Sequence, residues 1–90
     1  MSSQMTDEQA QARIEELERE EQQLRRDEGE AGDQSETERV ASDAARLESI
    51  RVEMDQLWDY LRQRRALRDA GQDPDGAELR DKDTVEKYLG

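Results

Sequence analysis

Four arginines crowd one short stretch, Tyr60 to Arg68, which reads YLRQRRALR and places Arg62, Arg64, Arg65 and Arg68 together with no acidic residue between them. Guanidinium groups recognise carboxylates and phosphates through paired N–H donors, so such a cluster is suited to an anion or an acidic partner surface. It stands out because the chain as a whole carries 14 basic against 25 acidic residues, a net charge of −11. That balance favours a basic partner over DNA, RNA or anionic lipid, and an arginine cluster without interleaved exposed aromatics is a weak nucleic-acid signal. The plainer role for the cluster is compensation of the negative end of a helix, with ion pairs to Asp59, Asp69 or the tail.

Catalysis has little to work with. The sequence has no His and no Cys, which removes the commonest neutral-pH acid–base group and every thiolate metal site. Glu16 with Glu20 or Glu21 shares a helix surface where a divalent cation could sit, but carboxylate sites in helical bundles usually add His at helical spacing. Paired carboxylates working as acid and base need a concave pocket that separates their pKa values, and a two-helix chain offers little room for one. The expectation is a non-enzymatic protein with no cofactor, no metal and no small-molecule substrate.

The elements that position these residues follow from capping and periodicity. Thr6 and Gln9 form a Thr-x-x-Gln capping box, with Asp7 and Glu8 complementing the positive end of the helix it opens. Ala10, Ile14, Leu17, Glu21 and Leu24 recur at alternating spacings of four and three, a narrow heptad seam. Gly29 and Gly32 end it within an acidic stretch, Asp27 to Asp33, that holds four carboxylates. Ser35 and Glu38 open a second helix whose seam runs Val40, Leu47, Ile50, Met54, Leu57 and Leu61. Gly71 follows Ala70 as a C-cap should, and Asp73-Pro74-Asp75-Gly76 reads as a turn. Asp83 with Glu86 then suggests a cap for a last short helix carrying Val85, Tyr88 and Leu89.

The expected fold class is therefore all-α: an antiparallel, coiled-coil-like helix hairpin with a C-terminal tail bearing a short helix. Residues 1–6 are expected to be disordered, helices to span about 7–28 and 36–70 around an acidic loop 29–35, and turn and tail to occupy 71–90. Only 31% of residues are hydrophobic, so a core of conventional size is out of reach. Folding at Gly32 brings Leu24 opposite Val40, Leu17 opposite Leu47, Ile14 opposite Ile50 and Ala10 opposite Met54. At 1.5 Å per residue the second helix outruns the first by about 20 Å. That overhang carries Leu57, Trp58, Tyr60, Leu61 and Leu67, and burying each such side chain is worth roughly 1.5 to 3 kcal/mol. The cover is expected from Leu79, Val85, Tyr88 and Leu89 of the tail, from a second copy, or from another protein.

The string LWDYLRQRRALRDAGQDPD from Leu57 to Asp75, with RLESIRVEMDQ upstream and VEKYL near the end, resembles a family of short actinobacterial proteins catalogued as domain of unknown function 2630. The resemblance covers most of the chain. Leu57 stands where that family often has Cys, Tyr60 where it mostly has Leu, and the loop around Gly29 to Ser42 is longer than usual there. The resemblance implies a compact helical protein in a bacterial cytoplasm and carries no assigned activity. The N-terminal MSSQMTDEQAQ has neither a basic nor an apolar targeting segment, and no apolar run approaches the ~20 residues that span a bilayer, which points the same way. The functional expectation is an interaction or scaffold module that pairs with itself or another protein through Leu57, Trp58, Tyr60, Leu61, Arg62, Arg64, Arg65 and Arg68. The alternative is a small regulatory factor docking its arginine strip on an acidic protein or nucleic-acid machinery.

Overall fold

The Thr6–Gln9 box closes in both directions: the Thr6 N–H donates to Gln9 Oε1 at 2.9 Å, and the Gln9 N–H donates to Thr6 Oγ1 at 3.1 Å. Two of the amides that a helix start leaves free are thereby satisfied, and α1 runs Asp7–Glu28. The long helix α2 spans Glu36–Asp69 and α3 spans Lys82–Leu89, with one 3-10 turn at Pro74–Gly76 between them. The computed structural model describes the backbone of residues 5–28 and 36–89 and the side chains of 5–26 and 41–87. The acidic loop 29–35, the Ser35–Glu38 box, the Leu24–Val40 pair and the side chains of Tyr88 and Leu89 lie outside the described residues. The architecture is the all-α antiparallel hairpin with a short C-terminal helix, and the described residues contain no strand.

Ala10, Ile14 and Leu17 of α1 pack against Ile50 and Leu57 of α2, all buried. Polar clasps flank this seam: Arg13 binds Glu53 at 2.7 Å and Arg46 binds Glu20 at 2.8 Å. Each clasp joins residues two positions further along α2 than the apolar pairing Ile14 with Ile50 would place them. Helical side chains lean about one position toward their own N-terminus. In an antiparallel pair both partners lean, so long side chains meet at residue numbers that sum two higher than those of the facing backbones.

The overhang is shorter than helix lengths alone imply, and the residues before α1 are ordered where disorder was expected. Met5 packs on the core, and its carbonyl accepts a 2.7 Å hydrogen bond from the buried Tyr60 hydroxyl. Non-helical residues advance more than 3 Å each against 1.5 Å in a helix, so Met5 and Thr6 reach along α2 well past the first helical turn.

The tail covers the remainder, on the side of α2 turned away from α1. At the end of α2, Gly71 takes φ 73°. Its N–H donates to the Arg68 carbonyl at 3.1 Å, and the Gln72 N–H to the Leu67 carbonyl at 2.8 Å. This is a Schellman stop that only glycine adopts without strain. The Asp73 carboxylate accepts from the Asp75 N–H at 2.9 Å and shapes the 3-10 turn, after which Ala77 is buried in the main core. Gln63 then holds the extended segment by its backbone, donating to the Glu78 carbonyl at 2.7 Å and accepting from the Glu78 N–H at 3.1 Å. Gln56 does the same once, to the Arg80 carbonyl at 3.2 Å. Asp81, not Asp83, caps α3, accepting from the Thr84 N–H at 2.8 Å. Starting the helix there seats Val85, 1% exposed, beside Val52 and Asp55.

Two expectations for the tail need correction. Leu79 points outward at 54% exposure, and Trp58 remains 44% exposed instead of being covered. The reason is angular. Successive helix residues differ by about 100°, so a tail bound over Asp59 on the far side of α2 does not reach Trp58 on the flank.

Asp59 fixes that position. It is 2% exposed and is gripped by the Arg80 guanidinium through both oxygens, with Gln63 donating at 2.9 Å. Burial alone would raise the Asp59 pKa, but the hydrogen bonds from Arg80 and Gln63 outweigh it and hold the carboxyl below its ordinary 3.8. Because the native pKa is depressed, the stability it contributes is complete above 3.8 and is lost as the pH falls through the lower native value. Thermal unfolding should therefore hold its midpoint from about pH 7 to about pH 5 and drop below about pH 4. Arg80→Gln leaves a buried carboxylate without its charge partner and should cost about 3 kcal/mol in urea denaturation at neutral pH, part of which Asp59→Asn restores in the double variant.

Candidate interaction surface

Around α2 the side chains divide into four faces. Ile50 and Leu57 meet α1, while Asp59 and Gln63 meet the tail. Arg46 and Glu53 lie on one flank, clasped to α1. Trp58, Arg62 and Arg65 stand on the other flank, at spacings of four and three.

The structure separates residues that are chemically alike. Leu57 and Tyr60 are buried in the core, and Leu61 is half-buried against it. Arg64 is also internal, its side chain 8% exposed. Its guanidinium donates to Asp7 of α1, to Asp75 at 3.0 Å and to the Pro74 carbonyl at 3.3 Å, and sits 5.9 Å from the Tyr60 ring centroid. Arg68 adds a 2.9 Å bond to the second Asp7 oxygen. The hydrogen bond from Arg64, reinforced by Arg68, lowers the Asp7 pKa despite some desolvation. Two of the four arginines thus join the start of α1, the end of α2 and the Pro74 turn.

The other two are free for outside contact. Arg62 is exposed and has no ion partner among the described residues. Arg65 has only Asp69 at 4.0 Å, with the two side chains 82% and 75% exposed. Beside them the Trp58 ring borders an open groove of about 260 Å³ lined by Gln11, Ile14, Glu15 and Glu18 of α1. Its indole N–H is not engaged by any described residue. Glu15 and Glu18 are exposed and likewise lack ion partners among the described residues.

A second open groove, about 560 Å³, runs between α2 and the tail past Ala45, Ser49, Val52 and the exposed Leu79. Its rim acids are already occupied: Glu48 binds Arg51 at 2.7 Å and Glu53 binds Arg13. The carboxylates considered for a cation are engaged in the same way, Glu16 and Glu20 by Arg13 and Arg46, and Glu21 by Arg25 at 3.7 Å. Uncommitted charge beside a large exposed aromatic is found on the Trp58 flank.

Sequence reasoning missed Asp7 and Asp75 as partners of Arg64, and Glu15 and Glu18 as neighbours of Trp58. Asp7 already carries a sufficient local role as a helix-start acid, and nothing in linear spacing signals its second one. Glu15 and Glu18 were recoverable from the register, since both lie on the flank of α1 that adjoins Trp58.

A family model described as Protein of unknown function (DUF2630) matches residues 6–90, and the chain belongs to that family. Similar relatives are the uncharacterized proteins Rv0898c and MT0921.1 of two Mycobacterium tuberculosis strains and Mb0922c of Mycobacterium bovis. Each is 57% identical over 44 residues, which is 49% of this chain and 51% of the relative. The chain thus spans about half the length of the curated relatives it matches. No solved structure matches it. No helix among the described residues is long and apolar enough to cross a membrane.

The four arginines should respond differently to neutral replacement. Arg64→Gln strands Asp7 and Asp75 and should destabilise the fold by about 2 to 3 kcal/mol in urea denaturation, whereas Arg62→Gln and Arg65→Gln should each stay within about 0.5 kcal/mol. Equal losses at all four positions would contradict the division drawn above.

Proposed function

We propose that this member of the DUF2630 family is a non-catalytic interaction module that binds a protein partner through the flank of α2 centred on Trp58. The observation that carries this reading is a contrast between neighbours: Leu57 and Asp59 are each 2% exposed, while Trp58 between them is 44% exposed. Trp combines a large apolar area with an N–H donor at low entropic cost, which is why it dominates interface energetics when it stands at the surface. Here it is bordered by charges of both signs that lack partners within the chain, as the rim of a protein contact requires.

Self-association through the overhang loses its motive, because the tail and Met5 supply the cover. The contact is better placed on the Trp58 flank. Docking of the whole arginine strip on an acidic surface is less well supported, since Arg64 and Arg68 are committed to Asp7 and only Arg62 and Arg65 remain. The absence of His and Cys from the chain supports a role without chemistry.

Trp58 is the only tryptophan, so its fluorescence reports this surface alone. On binding, its emission should shift to the blue and acrylamide quenching should fall. Trp58→Ala should leave helix content unchanged by circular dichroism and weaken association by about 2 kcal/mol or more, roughly 30-fold. If a folded Trp58→Ala variant retains every contact detected by crosslinking in the native cell, the reading is wrong.

A further inference from the structure

The unpaired charges on the Trp58 flank are segregated along the hairpin and across it. Arg62 and Arg65 lie on α2, four and seven residues to the C-terminal side of Trp58. Glu15 and Glu18 lie on α1. In the register set by the Arg13–Glu53 and Glu20–Arg46 clasps, they stand beside α2 near residues 51 and 48, on the other side of Trp58. The midpoint between the basic and acidic pairs then falls near residues 56 and 57, within about 3 Å of Trp58 at 1.5 Å per residue.

Resting on the interaction-surface reading above, we infer that the partner is a second copy of this chain, docked antiparallel about a two-fold axis that passes through the α1–α2 groove beside Trp58. Such an axis reverses both directions within the face. Arg62 and Arg65 at one end of α2 are carried onto Glu15 and Glu18 at the opposite end of α1 in the other copy, and the reciprocal contact forms by symmetry. A two-fold axis parallel to the helices would instead set arginine beside arginine. The two Trp58 rings meet next to the axis, where the centre of an interface is driest and carries most binding energy. The face formed by α1 and α2 side by side is about 33 Å long and about 20 Å wide, roughly 650 Å² per copy, near the lower end of what stable dimers bury. Two chains of −11 repel at long range. At about 0.15 M salt that repulsion is screened beyond about 8 Å, while the four cross-copy ion pairs act at contact.

Charge swaps in the full-length chain test this arrangement. Glu15→Arg with Glu18→Arg, and separately Arg62→Glu with Arg65→Glu, break no ion pair inside the chain except the loose Arg65–Asp69 contact, so circular dichroism should show both variants fully helical. Sedimentation velocity from about 1 µM to about 1 mM at about 0.15 M salt should show the unmodified chain dimerising and each swapped variant at least about tenfold weaker. An equimolar mixture of the two variants should recover a 1:1 dimer, because both contacts then pair opposite charges, and its Trp58 emission should shift to the blue as in the unmodified chain. The inference is overturned if the unmodified chain stays monomeric throughout, if either variant alone dimerises as well as it does, or if mixing restores nothing. A monomer that still binds a different protein in a Trp58-dependent manner removes the second copy and leaves the interaction surface standing. A monomer whose Trp58→Ala variant changes no association removes both.

Discussion

The Arg64 guanidinium is where three separate parts of the chain are fastened to one another. Asp7 brings the first turn of α1, Asp75 and the Pro74 carbonyl bring the turn after α2, and the Tyr60 ring lies beneath the charge. A cation taken this far out of water is tolerable only when its donors are matched, and here the acceptors come from all three segments. Ala77 enters the core immediately beyond this junction, and Met5 reaches Tyr60 immediately before it. Without the junction α1 and the tail would each grip α2 only by narrow apolar stripes, in a chain that is 43% charged.

The placement of everything else follows from α2 being shared. A helix between two neighbours must divide its circumference, and α2 does so with a different chemistry on each side: aliphatic seam toward α1, amide and carboxylate toward the tail. The polar side suits its purpose. The tail arrives as extended chain with unpaired N–H and C=O groups, and Gln56 and Gln63 satisfy them where apolar residues would not. What remains is a flank that neither neighbour covers, and Trp58 stands on it.

The hairpin was legible because its signals are local and redundant. The Thr6–Gln9 box, the two heptad seams and the Gly71 stop each depend on residues within one or two turns, and each agrees with the others. The path of the tail was not legible. Asp81 and Asp83 are equally good helix caps in isolation, and the choice falls to Asp81 because that start seats Val85 against α2. Nor could type or spacing separate Arg64 from Arg62 and Arg65. Only the angle at which α2 meets α1 decides which arginine turns inward. Trp58 shows the same limit from the apolar side: its size argues for burial, and its position on the helix circumference overrides size.

The bonds that Arg64 gathers span very different lengths of chain. Asp75 lies 11 residues away and Asp7 57 residues away. The entropy of closing a loop grows with the logarithm of its length, so the longer closure costs about 1.5 kcal/mol more than the shorter. Gln63 with Glu78 and Asp59 with Arg80 are likewise short-range, at 15 and 21 residues. Folding order is thereby built into the topology: the C-terminal half of α2 gathers its tail first, and α1, although synthesised earlier, docks last onto a surface that the tail has already stiffened.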